Sequence, residues 1–259
     1  MKKSFYVLAY ALFSMLLFTS CGKENTVKDI DGNEYTIVRY GYQEWMVENL
    51  KVTHYNDGTP ISYTATDEQW IFADSTAKGA WCVYDFTGDA QEALTANSYV
   101  TYGALYNFYA VQSGKLAPEG WRVATEDDWR KLEAYMTYNG WNYDETHSGN
   151  KVAKAMADNK LWAEHDDDDP GDIGAKDTFL KMNNISGFSA LPAGDRRPNG
   201  KFKFQGEQSF WWTSTFLPNI NFAVYTRALS NTESALISEP YRRGFGFSVR
   251  CVRDVEEEK

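Results

Sequence analysis

The chain has 259 residues, with 26 Lys and Arg against 36 Asp and Glu, for a formal net charge of −10. Nucleic-acid binding rests on neutralising phosphates with basic side chains, so this balance argues against nucleic acid and against docking through a polybasic membrane patch. Beyond the first 20 residues no apolar run approaches the ~18 residues needed to span a bilayer.

The amino terminus has the layout of an export signal. Lys2 and Lys3 precede an apolar run from Phe5 to Phe18 broken only by Ser14, and small Thr19 and Ser20 lead into Cys21. A run this short with a cleavage-like end reads as a signal peptide over residues 1–20 rather than a spanning helix. Phe18-Thr19-Ser20-Cys21 resembles the bacterial lipobox, in which the cysteine is acylated and becomes the mature terminus. Cys21 is therefore the expected lipidation site, residues 21–27 a tether, and residues 28–259 a domain. Loss of the signal removes two lysines and no acid, taking the net charge from −10 to −12. The expected location is the cell envelope, on the outer membrane through the lipid alone.

The first predicted strand is Glu34 to Tyr40, which alternates after the turn signal Asp31-Gly32-Asn33. A second turn follows at Asn56-Asp57-Gly58, and Thr64 to Asn97 reads as loop. Leu105, Tyr106 and Tyr109 lie at helical spacing, predicting a helix over Tyr102 to Val111 that ends near Gly114. The clearest helix follows Thr125, whose hydroxyl can cap it with Asp128 three residues on. Trp129, Leu132, Tyr135 and Met136 give that helix one apolar face. Lys151 to Ala157 reads as a shorter helix. Later, Phe188 to Leu191, Lys201 to Phe204, Phe210 to Thr213, Phe222 to Leu229 and Phe245 to Val252 are apolar runs between turns, hence strands. Helices early and antiparallel strands late indicate a single α+β domain.

Searches for chemistry return little. His54, His147 and His165 share no metal spacing. Gly187-Phe188-Ser189-Ala190-Leu191 fails the nucleophile-elbow pattern at its last position, and no phosphate-cradling glycine loop occurs. The acidic run Asp166 to Asp169 meets Pro170 where a calcium loop needs an oxygen ligand, so it reads as a solvated loop. Neither metal nor cofactor is expected. Aromatics make up 16% of the chain, with nine tryptophans. About two thirds of them are expected in the core of a loop-rich fold. Export permits a disulfide, and besides the lipidated residue only Cys82 and Cys251 are present. They are expected to pair, the other reading being two buried thiols.

Eight segments carry a family resemblance. They are Asp29-x-Asp31-Gly32-Asn33-x-Tyr35, Gln43-x-Trp45-Met46-x-Glu48-Asn49-Leu50-Lys51, Tyr55-Asn56-Asp57-Gly58, Tyr102-Gly103-Ala104-Leu105-Tyr106-Asn107 and Pro118-Glu119-Gly120-Trp121-Arg122-Val123. The others are Gly187-Phe188-Ser189-Ala190-Leu191-Pro192, Trp211-Trp212-Thr213-Ser214-Thr215 and Gly246-Phe247-Ser248-Val249-Arg250-Cys251-Val252. In this order they resemble the Fibrobacter succinogenes major paralogous domain. The resemblance implies a loop-rich, C-type-lectin-like α+β domain with short helices and a small antiparallel sheet joining its two ends. It also implies a lipoprotein of Bacteroidota-type bacteria. Members often carry Cys before the Pro-x-Gly-Trp stretch, where this chain has Ala117. A shared fold transfers no activity.

The functional expectation is a ligand-binding module for a protein or glycan, without catalysis. The stretch from Trp212 to Arg243 mixes flat aromatics, amides and guanidinium groups, a composition suited to recognition. Trp212, Asn219, Asn221, Tyr225, Arg227, Asn231, Tyr241 and Arg242 are the candidate ligand-binding residues. The alternatives are a structural or assembly component of the envelope and, less favoured, an enzyme acting on envelope polymers.

Overall fold

A computed structural model of the protein describes residues 25–166, 169–175, 183–220 and 222–256. Cys21, Asn221, Asp167 and Asp168 therefore lie outside the described residues. The alternation expected at the amino end forms strand β2, Glu34–Tyr40, which buries Tyr35 and Ile37 in one core cluster and Tyr40, from its other face, in a second. It pairs with β1, Thr26–Lys28, and with β3, Gln43–Met46. The last strand, β14 (Cys251–Asp254), joins β3 antiparallel, with Val252 opposite Trp45. Its other edge takes β7, Arg122–Val123. The two ends of the described chain thus share one five-stranded sheet.

A second sheet of nine strands carries most of the molecule. One half holds β4 (Ser62–Tyr63), β5 (Ala80–Cys82) and β6 (Leu105–Asn107). The other holds β8 (Ala193–Arg196), β10 (Gln208–Phe216), β11 (Ala223–Ser230) and β12 (Ile237–Arg242). Strand β13, Gly246–Phe247, bridges the halves by pairing with β6 and β8, and β9, Phe202–Gln205, adds to β8. The sheet is mixed, since β4 and β5 run parallel, as do β8 and β10. The architecture is α+β, with a larger and less regular sheet than the short apolar runs predict. One hydrophobic cluster includes Tyr35 and Met46 from the first sheet and Trp81, Tyr106, Trp212 and Phe247 from the second.

Helix α5, Glu126–Tyr138, forms as predicted. Thr125 and Asp128 make a reciprocal capping box, and the first turn carries Glu126, Asp127 and Asp128 against the exposed amides. Its Trp129 packs 4.9 Å from Trp45 and 5.6 Å from Trp211, ring to ring, which fixes the helix against both sheets. The shorter helix α6 spans Ala153–Met156, inside the predicted range.

Four stretches depart from expectation. Tyr102 to Val111 is not one helix: α3, Asn97–Tyr102, stops at Gly103 (φ 81°), β6 follows, and α4 (Phe108–Gln112) starts at a cap by Asn107. Pairing of β6 on both edges overrides the helical spacing of its side chains. Thr64 to Asn97 holds α1, Asp67–Ser75, with a capping box between Thr66 and Gln69, and the short α2, Ala90–Ala93. Only Trp70 and Ala73 of α1 are buried, too narrow a stripe to show as periodicity. Phe188 to Leu191 is no strand, for Ser189 adopts φ 51° and only Ala190 makes a bridge, to Ala157. The predicted run Phe245 to Val252 is split, because the chain crosses between sheets at Ser248 to Arg250.

The expected Cys82–Cys251 disulfide is not formed. Both thiols are free and buried, Cys82 on β5 beside Trp70 and Leu105, Cys251 on β14 in the larger cluster. They belong to strands of different sheets, and a disulfide requires Cα atoms within ~7 Å and converging side chains. Burial pushes the Cys82 thiol up to about 11 and the Cys251 thiol higher still, so both behave as small apolar core residues.

Candidate functional site

The β10–β11 hairpin projects beyond the sheet. Phe216 is the last β10 residue paired, opposite Val224, and the tip turns through Asn219 at φ 63°, a conformation asparagine tolerates. Phe216, Ile220 and Phe222 are left exposed there, at 40, 37 and 63% of their surface. Beside the tip, the turn after β12 brings Arg242, Arg243 and Gly244 around. This turn is fastened from below: the Arg243 carbonyl accepts from the Phe108 amide at 2.9 Å, and the Gly244 carbonyl from Trp70 Nε1 at 2.9 Å.

Between tip, turn and α1 lies a cleft of about 510 Å³. Phe222, Pro198, Asp74, Ala77 and Tyr109 line it, together with Arg242 to Gly244. The Tyr109 hydroxyl donates to Asp74 Oδ1 at 3.3 Å, and burial together with that carboxylate raises the phenol above its usual range. The Arg243 guanidinium lies over the rings of Tyr109 and Phe216, 5.9 and 5.6 Å from their centroids. A Cβ at position 244 would meet the Asp74 carboxylate, so a larger residue there would displace that side chain. Arg242 is exposed and forms no ion pair among the described residues. Such a lining can desolvate a flat or apolar group while guanidinium groups hold an anion.

The candidates chosen on composition scatter. Arg242 lines the cleft, and Asn219 stands exposed on the neighbouring tip. Trp212 is fully buried and donates from Nε1 to the Tyr106 carbonyl at 2.7 Å, so it is core. Arg227 is 3% exposed and forks onto Glu126, with Nε to Oε2 at 3.0 Å and Nη2 to Oε1 at 2.6 Å, while Nη1 reaches Glu133 at 2.9 Å. It anchors α5 to the sheet. Asn231 is buried and donates to the Ala163 carbonyl at 3.0 Å, which makes it a loop fastener. Tyr225 is half-buried opposite Pro240, and Tyr241 packs edge-on against Phe210 and Phe247. Trp212, Arg227 and Asn231 are thus corrected to structural roles: the first two sit on strands covered on both faces, and Asn231 in the turn after β11 is buried against the Ala163 loop. Composition missed Phe222, read as the start of a strand, and Tyr109, read as a helix face. An apolar residue just past the turn at Leu217-Pro218-Asn219 was the available signal for Phe222.

Among the described residues no three His, Cys, Asp or Glu side chains are grouped to hold a metal. His54 pairs with Asp31 at 2.6 Å, His147 bonds the Tyr138 carbonyl, and His165 lies 3.6 Å from Asp172. A second cleft of about 550 Å³ is lined by Asp67, Glu68 and Asp85. Asp67 is occupied by Lys201 and faces Arg196, so this cleft reads as a solvated ion-pair network.

The family pattern of the Fibrobacter succinogenes major domain matches residues 38–253, most of the chain. The chain belongs to that family. No curated protein and no solved structure matches it. The segments that carried the resemblance to the Fibrobacter succinogenes major domain meet in the core. Asn49 Oδ1 accepts from Trp211 Nε1 at 2.9 Å and from Arg250 Nε at 2.8 Å, and Asn49 Nδ2 donates to the Tyr102 carbonyl at 2.9 Å. Arg250 Nη1 donates to the carbonyls of Met46 and Phe188 at 2.9 and 3.1 Å. Burial lowers this guanidinium to about 10. These quoted segments thus build a hydrogen-bonded scaffold, and every residue lining the Arg242 cleft lies outside them, though within the matched range.

Proposed function

We propose that this protein is a lipid-anchored ligand-binding module of the cell envelope and that its ligand, a protein or a glycan, seats in the Arg242 cleft. Cys21 behind its small-residue pair would carry the anchor, and no described helix is long and apolar enough to cross a membrane. Pairing of the two chain ends in one sheet, with a long loop-rich excursion between them, supports a C-type-lectin-like relationship. In such a frame the loops offer a binding surface on a rigid base. The observation that carries the reading is the 63% exposed Phe222 standing beside Arg242 over a formed cleft, on a hairpin whose base is buried. Clustered exposed apolar side chains with a polar rim mark interaction sites.

The test is a labelled preparation of the protein on glycan and peptide arrays, alongside the double variant Phe222→Ala/Arg242→Ala. Signal on either array that falls at least about tenfold in the variant supports the reading. Signal that survives in the variant moves the site elsewhere, and silence on both arrays removes the function.

A further inference from the structure

We infer that the occupant of the Arg242 cleft is a protein segment carrying carboxylates beside an apolar side chain, rather than a glycan. This rests on the binding-module reading and narrows it. Sugar recognition satisfies many hydroxyls at once, which calls for amides that both donate and accept and for carboxylates that accept. The described lining has no Asn, Gln or Ser; its one carboxylate, Asp74, already accepts from Tyr109. What it offers is of another kind. Phe216, Ile220 and Phe222 carry no polar atom in their side chains and stand together on one tip, so their gain on binding comes from burying apolar surface. Exposed Arg242 supplies a planar fork of donors that fits a carboxylate. Charge complementarity points the same way: arginines stand out on a chain of net charge −10, so an acidic segment is attracted at this cleft and repelled over the acidic remainder of the surface.

The experiment uses the detergent-solubilised full-length chain and two matched peptide arrays. In one, random positions are drawn from Asp, Glu, Leu and Phe; in the other, from Asn, Gln, Leu and Phe. Polygalacturonate, an anionic glycan, serves as competitor and as a direct probe. The expected result is binding to the acidic array at least about tenfold above the amide array, weakened by added salt and unaffected by polygalacturonate. Phe222→Ala and Arg242→Gln should each lower it at least about fivefold, with Arg242→Lys recovering less than the wild type because lysine lacks the fork. Equal signal on both arrays overturns the inference. So does cleft-dependent binding of polygalacturonate without peptide binding, although the binding-module reading would then stand. Absence of every interaction, or binding that ignores both substitutions, overturns the two together.

Discussion

Arg227 and Arg242 lie on one hairpin pair and do opposite things. Arg227 is desolvated between Glu126 and Glu133, whereas Arg242 stands at the rim of the cleft in water. Removing one partner of a buried pair strands the other charge, so Arg227→Ala should cost about 3–5 kcal/mol in urea unfolding. Arg242→Ala should stay within about 0.5 kcal/mol of the wild type by the same measurement. A large loss for Arg242→Ala would mean that the cleft is structural. Asp195 makes a second test at this scale. It is 1% exposed, its Oδ1 has no hydrogen-bond partner among the described residues, and burial raises its carboxyl from 3.8 to about 6 despite Arg197 and Lys203. A carboxyl raised on folding holds its proton more tightly in the native state. Its contribution is therefore complete below about pH 4 and lost as pH rises through about 6, by at most about 3 kcal/mol. Asp195→Asn should remove that fall from the stability profile between those values, and an unchanged slope would contradict the assignment.

At the scale of elements, legibility followed how local the determinants were. Helix α5 could be read because its cap, its acidic first turn and its apolar face all lie within Thr125 to Met136. Thr125→Ala should cost about 1–2 kcal/mol, seen as a lower unfolding midpoint with unchanged fold by circular dichroism. Strand β2 was legible for the same reason, through the alternation of Glu34 to Ile37. Strand β6 was not, because Leu105 to Asn107 are extended only through pairing with β5 and β13, far away in sequence. Helix α1 escaped because a single tryptophan and an alanine bury it. The cleft was half legible: aromatic and Arg composition pointed to a stretch that contributes Phe222, Arg242 and Arg243 to its lining, yet burial by tertiary pairing decided which of its side chains reach water. Phe222 and Arg242 do; Trp212 and Arg227 do not.

Across the whole molecule, the eight segments that carry the resemblance and the residues lining the proposed cleft are different ones. Asn49, Trp211 and Arg250 tie the two sheets together, and the cleft is built on segments between those anchors. The fold also holds without a covalent staple. Unfolding in denaturant should be the same with and without reductant, and Cys82 and Cys251 should react with a thiol reagent only after unfolding. A reductant-dependent midpoint would show a disulfide that the two separate clusters do not accommodate. On the proposed function, this scaffold presents the Arg242 cleft to a ligand. The most direct test is fluorescence anisotropy of the strongest array probe against the wild type and Phe222→Ala/Arg242→Ala. A Kd at least about tenfold weaker is expected for the variant, ~1.4 kcal/mol or more, at an unchanged unfolding midpoint. An equal Kd for the two proteins would contradict the proposed function.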